Sequence, residues 1–260
     1  MTGPAGAARS TGAQGFGIDI GGSGVKGAPV DLDTGALAGE RVRLPTPTPS
    51  TPEEVAKVVA EIVGSFGWTG PLGVTVPAVV THGTTRTAAN IDHAWIGAEA
   101  EVLLREMTGC DVTVVNDADA AGYAEVQFGA ARGHHGLVLV TTLGTGIGTA
   151  LIYDGRLVPN TELGHIQIHG EDAEHRASDA ARDREDLSWE KWATRLQHYY
   201  RTLEELFWPD LFVVGGGVSK RADKFLPLLN LQTPIVPAAL RNEAGIVGAA
   251  LLAAGGDSKR

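Results

Sequence analysis

Apolar positions along this chain fall into short runs set around glycine-rich turns, with longer stretches of helical spacing between them. Phe16–Ile20 and Val25–Val30 flank the turn Gly21-Gly-Ser-Gly24, which predicts a β-hairpin. A third strand over Gly39–Leu44 follows the turn at Asp31–Gly35. The proline-rich stretch Pro45–Pro52 excludes helix and central strand. Thr51-Pro-Glu-Glu then opens a helix, with Thr51 as N-cap, Pro52 at the first helical position and acids in the first turn. Val55, Val58, Val59 and Ile62 are its buried stripe. Leu72–Val76 reads as a buried strand, Leu103–Met107 as the end of a helix and Val112–Val115 as a second buried strand. Asp117–Phe128 reads as a closely packing helix of small residues.

The second half repeats this order. Leu137–Val140 and Ala150–Tyr153 flank the turn Thr141–Gly148, a second strand–turn–strand unit. Trp189–Phe207 predicts a long helix, Leu211–Val214 a strand ending in Gly215-Gly-Gly217, and Asn242–Ala254 a final Ala-rich helix. The chain therefore reads as a duplicated hairpin-plus-αβ unit of mixed α/β class. The acidic, polar stretch Gly170–Asp186 reads as a solvated loop rather than a lid. The aromatics Trp189, Trp192, Tyr199, Tyr200, Phe207 and Trp208 read as core or dimer-interface packing rather than base-stacking groups.

Composition narrows the function classes. A length of 260 residues allows two lobes or one large domain. The net charge of −10 argues against a broad nucleic-acid or anionic-membrane surface, so any anionic ligand must be met by local groups. No apolar run is long enough to span a bilayer. Met1–Gln14 is rich in Gly, Ala, Ser and Thr, lacks the apolar core of a signal peptide and reads as a disordered tail. A single cysteine, Cys110, excludes an internal disulfide and a Cys-rich zinc site. Together these features favour the cytoplasm.

The chemistry begins with the two turns. Glycine permits left-handed φ and lets backbone N–H groups approach an anion closely. Ser23, Thr142 and Thr145 add hydroxyl donors and Lys26 adds a point charge. Two such hairpins can grip a polyphosphate chain from opposite sides. Neither turn matches the phosphate loop G-x-x-x-x-G-K-[ST], and Gly144-Thr-Gly-Ile-Gly148 lacks the spacing and following helix of a dinucleotide fingerprint. Asn116-Asp117 lies where a strand runs out and a helix begins, so Asp117 reads either as part of a plain N-cap or as a base that orients a hydroxyl and takes its proton. Glu162-Leu-Gly-His165 can present two groups to vicinal hydroxyls or form a surface pair. Asn90 suits a sugar or an Asx-turn equally. His165, His169 and His175 are spaced four and six apart, which fits no standard metal motif. Gly215–Gly217 lets a flat or anionic donor lie against backbone, beside the basic Lys220, Arg221 and Lys224.

Taken together, Asp19-Ile-Gly-Gly-Ser-Gly-Val-Lys26, Asn116-Asp-Ala-Asp119, Leu143-Gly-Thr-Gly-Ile-Gly148, Glu162-Leu-Gly-His165 and Val213-Val-Gly-Gly-Gly-Val-Ser219 resemble the sugar-kinase family called ROK. Thr87–Asp92, Phe66–Gly70 and Trp208–Gly217 are similar to the polyphosphate-using members in actinobacteria. The likeness runs from about residue 15 to 254. It implies the two-lobed actin-like ATPase (ribonuclease H-like) fold, each lobe a mixed sheet flanked by helices. The implied division is a tail over 1–14, a smaller lobe over 15–116, a larger lobe over 117–241, and a C-terminal helix with tail over 242–260 that packs back on the smaller lobe.

The resemblance implies phosphorylation of glucose at its 6-hydroxyl by inorganic polyphosphate, with Asp117 as base. Asn90, Asn116, Asp117, Glu162 and His165 would bind the sugar. Asp19, Gly21, Gly22, Ser23, Gly24 and Lys26 in one turn, with Thr142, Gly144, Thr145 and Gly146 in the other, would hold the donor phosphates. Gly216, Gly217 and Lys220 lie where ATP-using relatives hold adenosine. Mg²⁺ near Asp19, a homodimer and a cytoplasmic setting follow as expectations. The alternatives are an ATP-dependent or dual-donor glucokinase or glucomannokinase and, more remotely, a sugar sensor without activity. Two departures stand out. The family's Cys-rich zinc loop after Gly-His is replaced by Ile166-Gln-Ile-His-Gly-Glu171, so no structural zinc is expected and His165 is free for sugar. Val76-Pro-Ala78 replaces the usual Pro-Gly, placing a methyl beside the sugar site.

Overall fold

A computed structural model describes residues 13–88 and 91–255. The first lobe opens with β1 (Gln14–Gly21) and β2 (Gly24–Asp31), then β3 (Val42–Leu44), helix α1 (Pro52–Ser65) and β4 (Leu72–Val76). A two-stranded ribbon follows, β5 (Val80–Thr81) with β6 (Thr84–Thr85), then α2 (Ala100–Thr108), β7 (Val112–Asn116) and α3 (Asp117–Phe128). The tail expected over 1–14 lies outside the described residues except for Ala13 and Gln14, and Gln14 already belongs to β1.

The second lobe holds β8 (Leu137–Leu143), β9 (Ile147–Tyr153) and β10 (Arg156–Val158). A small ribbon of β11 (Gln167–Ile168) and β12 (Glu171–Asp172) leads into α4 (Ala173–Ala177), α5 (Asp179–Arg184) and α6 (Trp189–Phe207). Strands β13 (Leu211–Gly215) and β14 (Ile235–Pro237) complete its sheet, and the last helix, α7 (Ala244–Gly255), returns to the first sheet.

The duplication is visible in the sheets. The first is ordered β3-β2-β1-β4-β7 and the second β10-β9-β8-β13-β14. In each, an antiparallel hairpin leads the sheet and two parallel strands extend it. Both lobes place their glycine turn at the tip of the leading hairpin. The anticipated N-cap of α1 forms, with Thr51 accepting from the Glu54 amide at 3.4 Å. Val55, Val59 and Ile62 are buried under it.

Two helices form the layer between the sheets. Helix α3 packs on β8 and β9, α7 packs across β1 and β4, and the two helices pack on each other. Their contact is close because α7 carries Gly248. A Cβ there would lie 1.8 Å from the carbonyl oxygen of Ala120 in α3. Gly248→Val is expected to destabilise the protein by about 1–3 kcal/mol through overpacking. A fall of several degrees in Tm checks this, and an unchanged Tm contradicts it.

Gly170–Asp186 departs from the solvated loop its sequence suggested. It supplies β12, which pairs with the preceding β11, and the two short helices α4 and α5. Ala173, Ala177 and Ala181, four apart, are buried, the first two against α6. Three alanines among many charges gave too weak an apolar period to be read. The long-helix aromatics divide: Trp192, Tyr199 and Tyr200 are core, whereas Trp208 is exposed.

Candidate active site

The first turn of α3 organises one side of the cleft between the lobes. Asn116 ends β7 in extended geometry, and its side-chain oxygen accepts from the amides of Ala118 and Asp119 at 2.8 and 3.1 Å. It is thus the N-cap. Its carboxamide nitrogen donates to the Ala78 carbonyl at 3.1 Å, which pins the Val76-Pro-Ala78 loop to the same point. Asp117 follows as the first helical residue and accepts from the Ala118 amide at 2.8 Å. Burial pushes the Asp117 carboxyl up to about 6, with the charges of Asp19 and Glu162 adding to it and the Ala118 hydrogen bond opposing it. A carboxyl poised near neutrality in a cleft is what a general base requires.

Asp19 reaches the cleft from near the end of β1. Lys26, its cross-strand partner on β2, donates to it at 3.0 Å, and the Thr75 hydroxyl of β4 donates to its other oxygen at 3.0 Å. The start of α7 rests against it, since a Cβ on Gly245 would lie 3.0 Å from Asp19 Oδ1.

These groups share a cleft of about 190 Å³. Asp19, Lys26 and Asp117 line it from one side, and Thr142, Gly215, Gly216 and Gly217 from the other. Gly216 takes φ +82° and sits tight on Leu143, where a Cβ would meet a carbonyl oxygen at 2.1 Å. Arg241 and Asn242, just before α7, also line the cleft. Neither belongs to a motif in the sequence: Arg241 precedes the predicted last helix, and Asn242, expected as its first residue, lies two residues before α7 begins at Ala244.

The turn tips behave differently from the expectation. None of the glycines Gly21, Gly22, Gly24, Gly144 and Gly146 is in the left-handed region. Gly22 and Gly144 face open space, so small size there gives access to the backbone rather than an unusual conformation. The turn carbonyls are engaged by protein: Thr46 donates to Gly21, Arg43 to Ser23 at 2.7 Å, the Ala180 amide to Gly144 at 3.1 Å and the Gly144 amide to Gly146 at 3.0 Å. Gly21, Gly22, Ser23, Gly24, Gly144, Thr145 and Gly146 sit at the hairpin ends and are not among the residues that line the cleft. Lys220 lies exposed on the 3-10 turn Gly217–Lys224 that follows the glycines.

Glu162 and His165 form a charged cluster beyond Asp117. His165 Nδ1 lies 3.1 Å from Asp172 and 3.9 Å from Glu174, and its Nε2 lies 3.8 Å from Glu162. Burial opposes the charge on His165, but the Asp172 hydrogen bond and the charges of Glu174, Asp172 and Glu162 outweigh it and raise its pKa above 6.5. Burial raises Glu162, with His165 opposing and Glu174 adding. A raised imidazole pKa contributes stability fully below 6.5 and loses it as pH rises through the folded value. Asp172→Asn is therefore expected to move that loss to lower pH. A histidine NMR titration checks this, and an unmoved His165 midpoint contradicts it. Asn90, the remaining sugar candidate, lies outside the described residues.

The sequence profile of the ROK family matches residues 15–183. The polyphosphate glucokinase of Mycobacterium tuberculosis is 55% identical over 238 residues, 91% of this chain and 90% of that one. The crystal structure of an inorganic polyphosphate/ATP-glucomannokinase from an Arthrobacter species superimposes with TM-score 0.90 at 54% identity, covering 94% of this chain and 99% of that one. A ROK family glucokinase from Streptomyces griseus, solved with glucose and AMPPNP, gives TM-score 0.81 at 25% identity, covering 94% and 100%.

Proposed function

The chain belongs to the ROK family, and we propose that it transfers a phosphoryl group from inorganic polyphosphate to the 6-hydroxyl of glucose. The observation that carries this is the meeting of Asp19, Lys26, Asp117, Thr142 and Gly215–Gly217 on one cleft, in a chain 55% identical to a polyphosphate glucokinase.

In this reading the sugar lies against Asn90, Glu162 and His165, with its 6-hydroxyl at Asp117. Asn116 acts by holding the Ala78 loop and the start of α3. Asp117 orients the hydroxyl and takes its proton as the bond to phosphorus forms and the bond to the leaving phosphate breaks. The donor's terminal phosphate lies between the two turns, near Lys26 and Thr142. The tip residues Gly22, Ser23, Thr145 and Gly146 offer backbone and hydroxyl donors further along the chain.

The acids fit a hard cation. Asp19 and Asp117 bring two carboxylates to one cleft, and Asp19's charge already helps raise Asp117. Mg²⁺ is commonly held by one or two carboxylates together with substrate phosphates. Among the described residues no three acid, His or Cys side chains converge to hold a metal, so the donor would supply the other ligands. When bound, Mg²⁺ supplies neutralisation of charge on the phosphates. A cytoplasmic homodimer is the working form that the family resemblance implies. Among the described residues no helix is long and apolar enough to cross a membrane.

One observation favours ATP as a second donor. Gly215–Gly217, Ala238 and Arg241 leave a wall of the donor cleft open to a larger group, and the Arthrobacter relative is named for both donors. The acceptor half of the reading is tested with 6-deoxyglucose. It is expected to compete with glucose and accept no phosphate; a phosphorylated product would contradict the 6-hydroxyl assignment.

A further inference from the structure

Asp119 is the third residue of α3 and is 2% exposed. One carboxyl oxygen accepts from the Asn160 amide at 2.7 Å. The other is sealed from solvent with no hydrogen-bond partner. A buried carboxyl with a single partner is costly. Burial pushes its pKa up to about 7, with the Asn160 amide opposing and Glu162 and Asp117 adding. Asp119 is not among the residues lining the donor cleft, so its use lies in what it holds.

What it holds is a strap between the lobes. Asn160 sits in the left-handed region at φ +59°, which Asn tolerates better than most residues. Its carboxamide pairs both backbone polar groups of one residue: it accepts from the Val80 amide at 2.9 Å and donates to the Val80 carbonyl at 2.7 Å. Val80 belongs to the ribbon strand β5 of the first lobe, and Asn160 follows β10 of the second. The next residues are tied within the second lobe. Buried Thr149 donates to the Thr161 carbonyl and accepts from the Leu163 amide at 3.1 Å. Glu162 lies between those two anchor points.

We propose that Asp119 is a positioning residue for the acceptor, acting through Asn160 to fix the Glu162–His165 segment against the loop that carries Ala78 and Val80. The inference rests on the reading of these walls as the glucose site.

Asn160→Gly is the cleanest test, because glycine keeps the left-handed backbone and removes only the carboxamide. Glucose affinity is measured by calorimetry without donor, alongside KM for glucose and for polyphosphate. Asn160→Gly and Asp119→Ala are each expected to weaken glucose about 10-fold and leave the polyphosphate KM unchanged. The double variant is expected to be no worse than the weaker single, as for residues acting in one chain. Asp119→Asn, which keeps an acceptor for the Asn160 amide, is expected to restore affinity to within about twofold. Unchanged glucose affinity in Asn160→Gly, with only Tm lowered, would overturn the proposal and leave the strap a matter of stability. Failure of the unaltered protein to bind glucose would overturn the functional reading itself, and the strap's role with it.

Discussion

Replacing Asp117 by Asn is expected to reduce turnover by about 10²-fold or more while glucose still binds. The amide keeps the size of the side chain and its place at the start of α3, but it cannot take the proton of the acceptor hydroxyl. Because burial and the charges of Asp19 and Glu162 lift this carboxyl to about 6, the group is half protonated near that pH. The active form is the ionised one, so kcat/KM should fall as pH drops below about 6. That limb should be missing from the residual activity of the variant. Stability should change in the opposite sense. A carboxyl raised from 3.8 makes the fold progressively less stable as pH rises from there to about 6. Asp117→Asn removes this loss and should have a higher Tm than the parent protein at pH 7, with a smaller gain at pH 4. Near-normal turnover with the acidic limb intact would remove Asp117 from the base role.

The second large effect belongs to Lys26. Its ammonium lies 3.0 Å from Asp19 on the wall of the donor cleft, with the side chain only partly exposed. In a net-acidic protein with Asp19 and Asp117 at the same cleft, it brings a positive charge to the Asp19 wall, whereas Arg43 is engaged at the turn tip and Arg241 approaches from the start of α7. Lys26→Ala is expected to lower kcat/KM for polyphosphate on the order of 10²-fold, the scale seen when one preorganised donor to a developing charge is removed. The glucose KM should stay near its original value. Arginine is expected to restore only part of the loss, since a planar fork does not reproduce a compact ammonium paired to Asp19. A loss shared equally between both substrates would instead show that Lys26 matters through the stability of the hairpin.

Much of this was legible in sequence because local and tertiary signals agreed. Helices α3 and α6 run over the residues their patterns predicted, each opened by an N-cap side chain, Asn116 or Ser188. The paired hairpins were legible because short, mainly apolar runs flank each glycine-rich turn. Other features leave no local trace. Asp119 looks like an ordinary first-turn acid, and only the fold shows that Asn160, 41 residues away, is its partner. Thr75 is one polar residue in a buried strand, the kind of exception that could have flagged a ligand for Asp19. Arg241 reaches the cleft because β14 runs beside β13 and α7 turns back over the first lobe, a consequence of topology alone.

The most direct test of the account is formation of glucose 6-phosphate from glucose and Mg²⁺ with long-chain polyphosphate freed of nucleotide, run beside ATP freed of polyphosphate. The account predicts sustained turnover with polyphosphate that collapses in Asp117→Asn. No product from polyphosphate, with turnover on ATP alone, would contradict it.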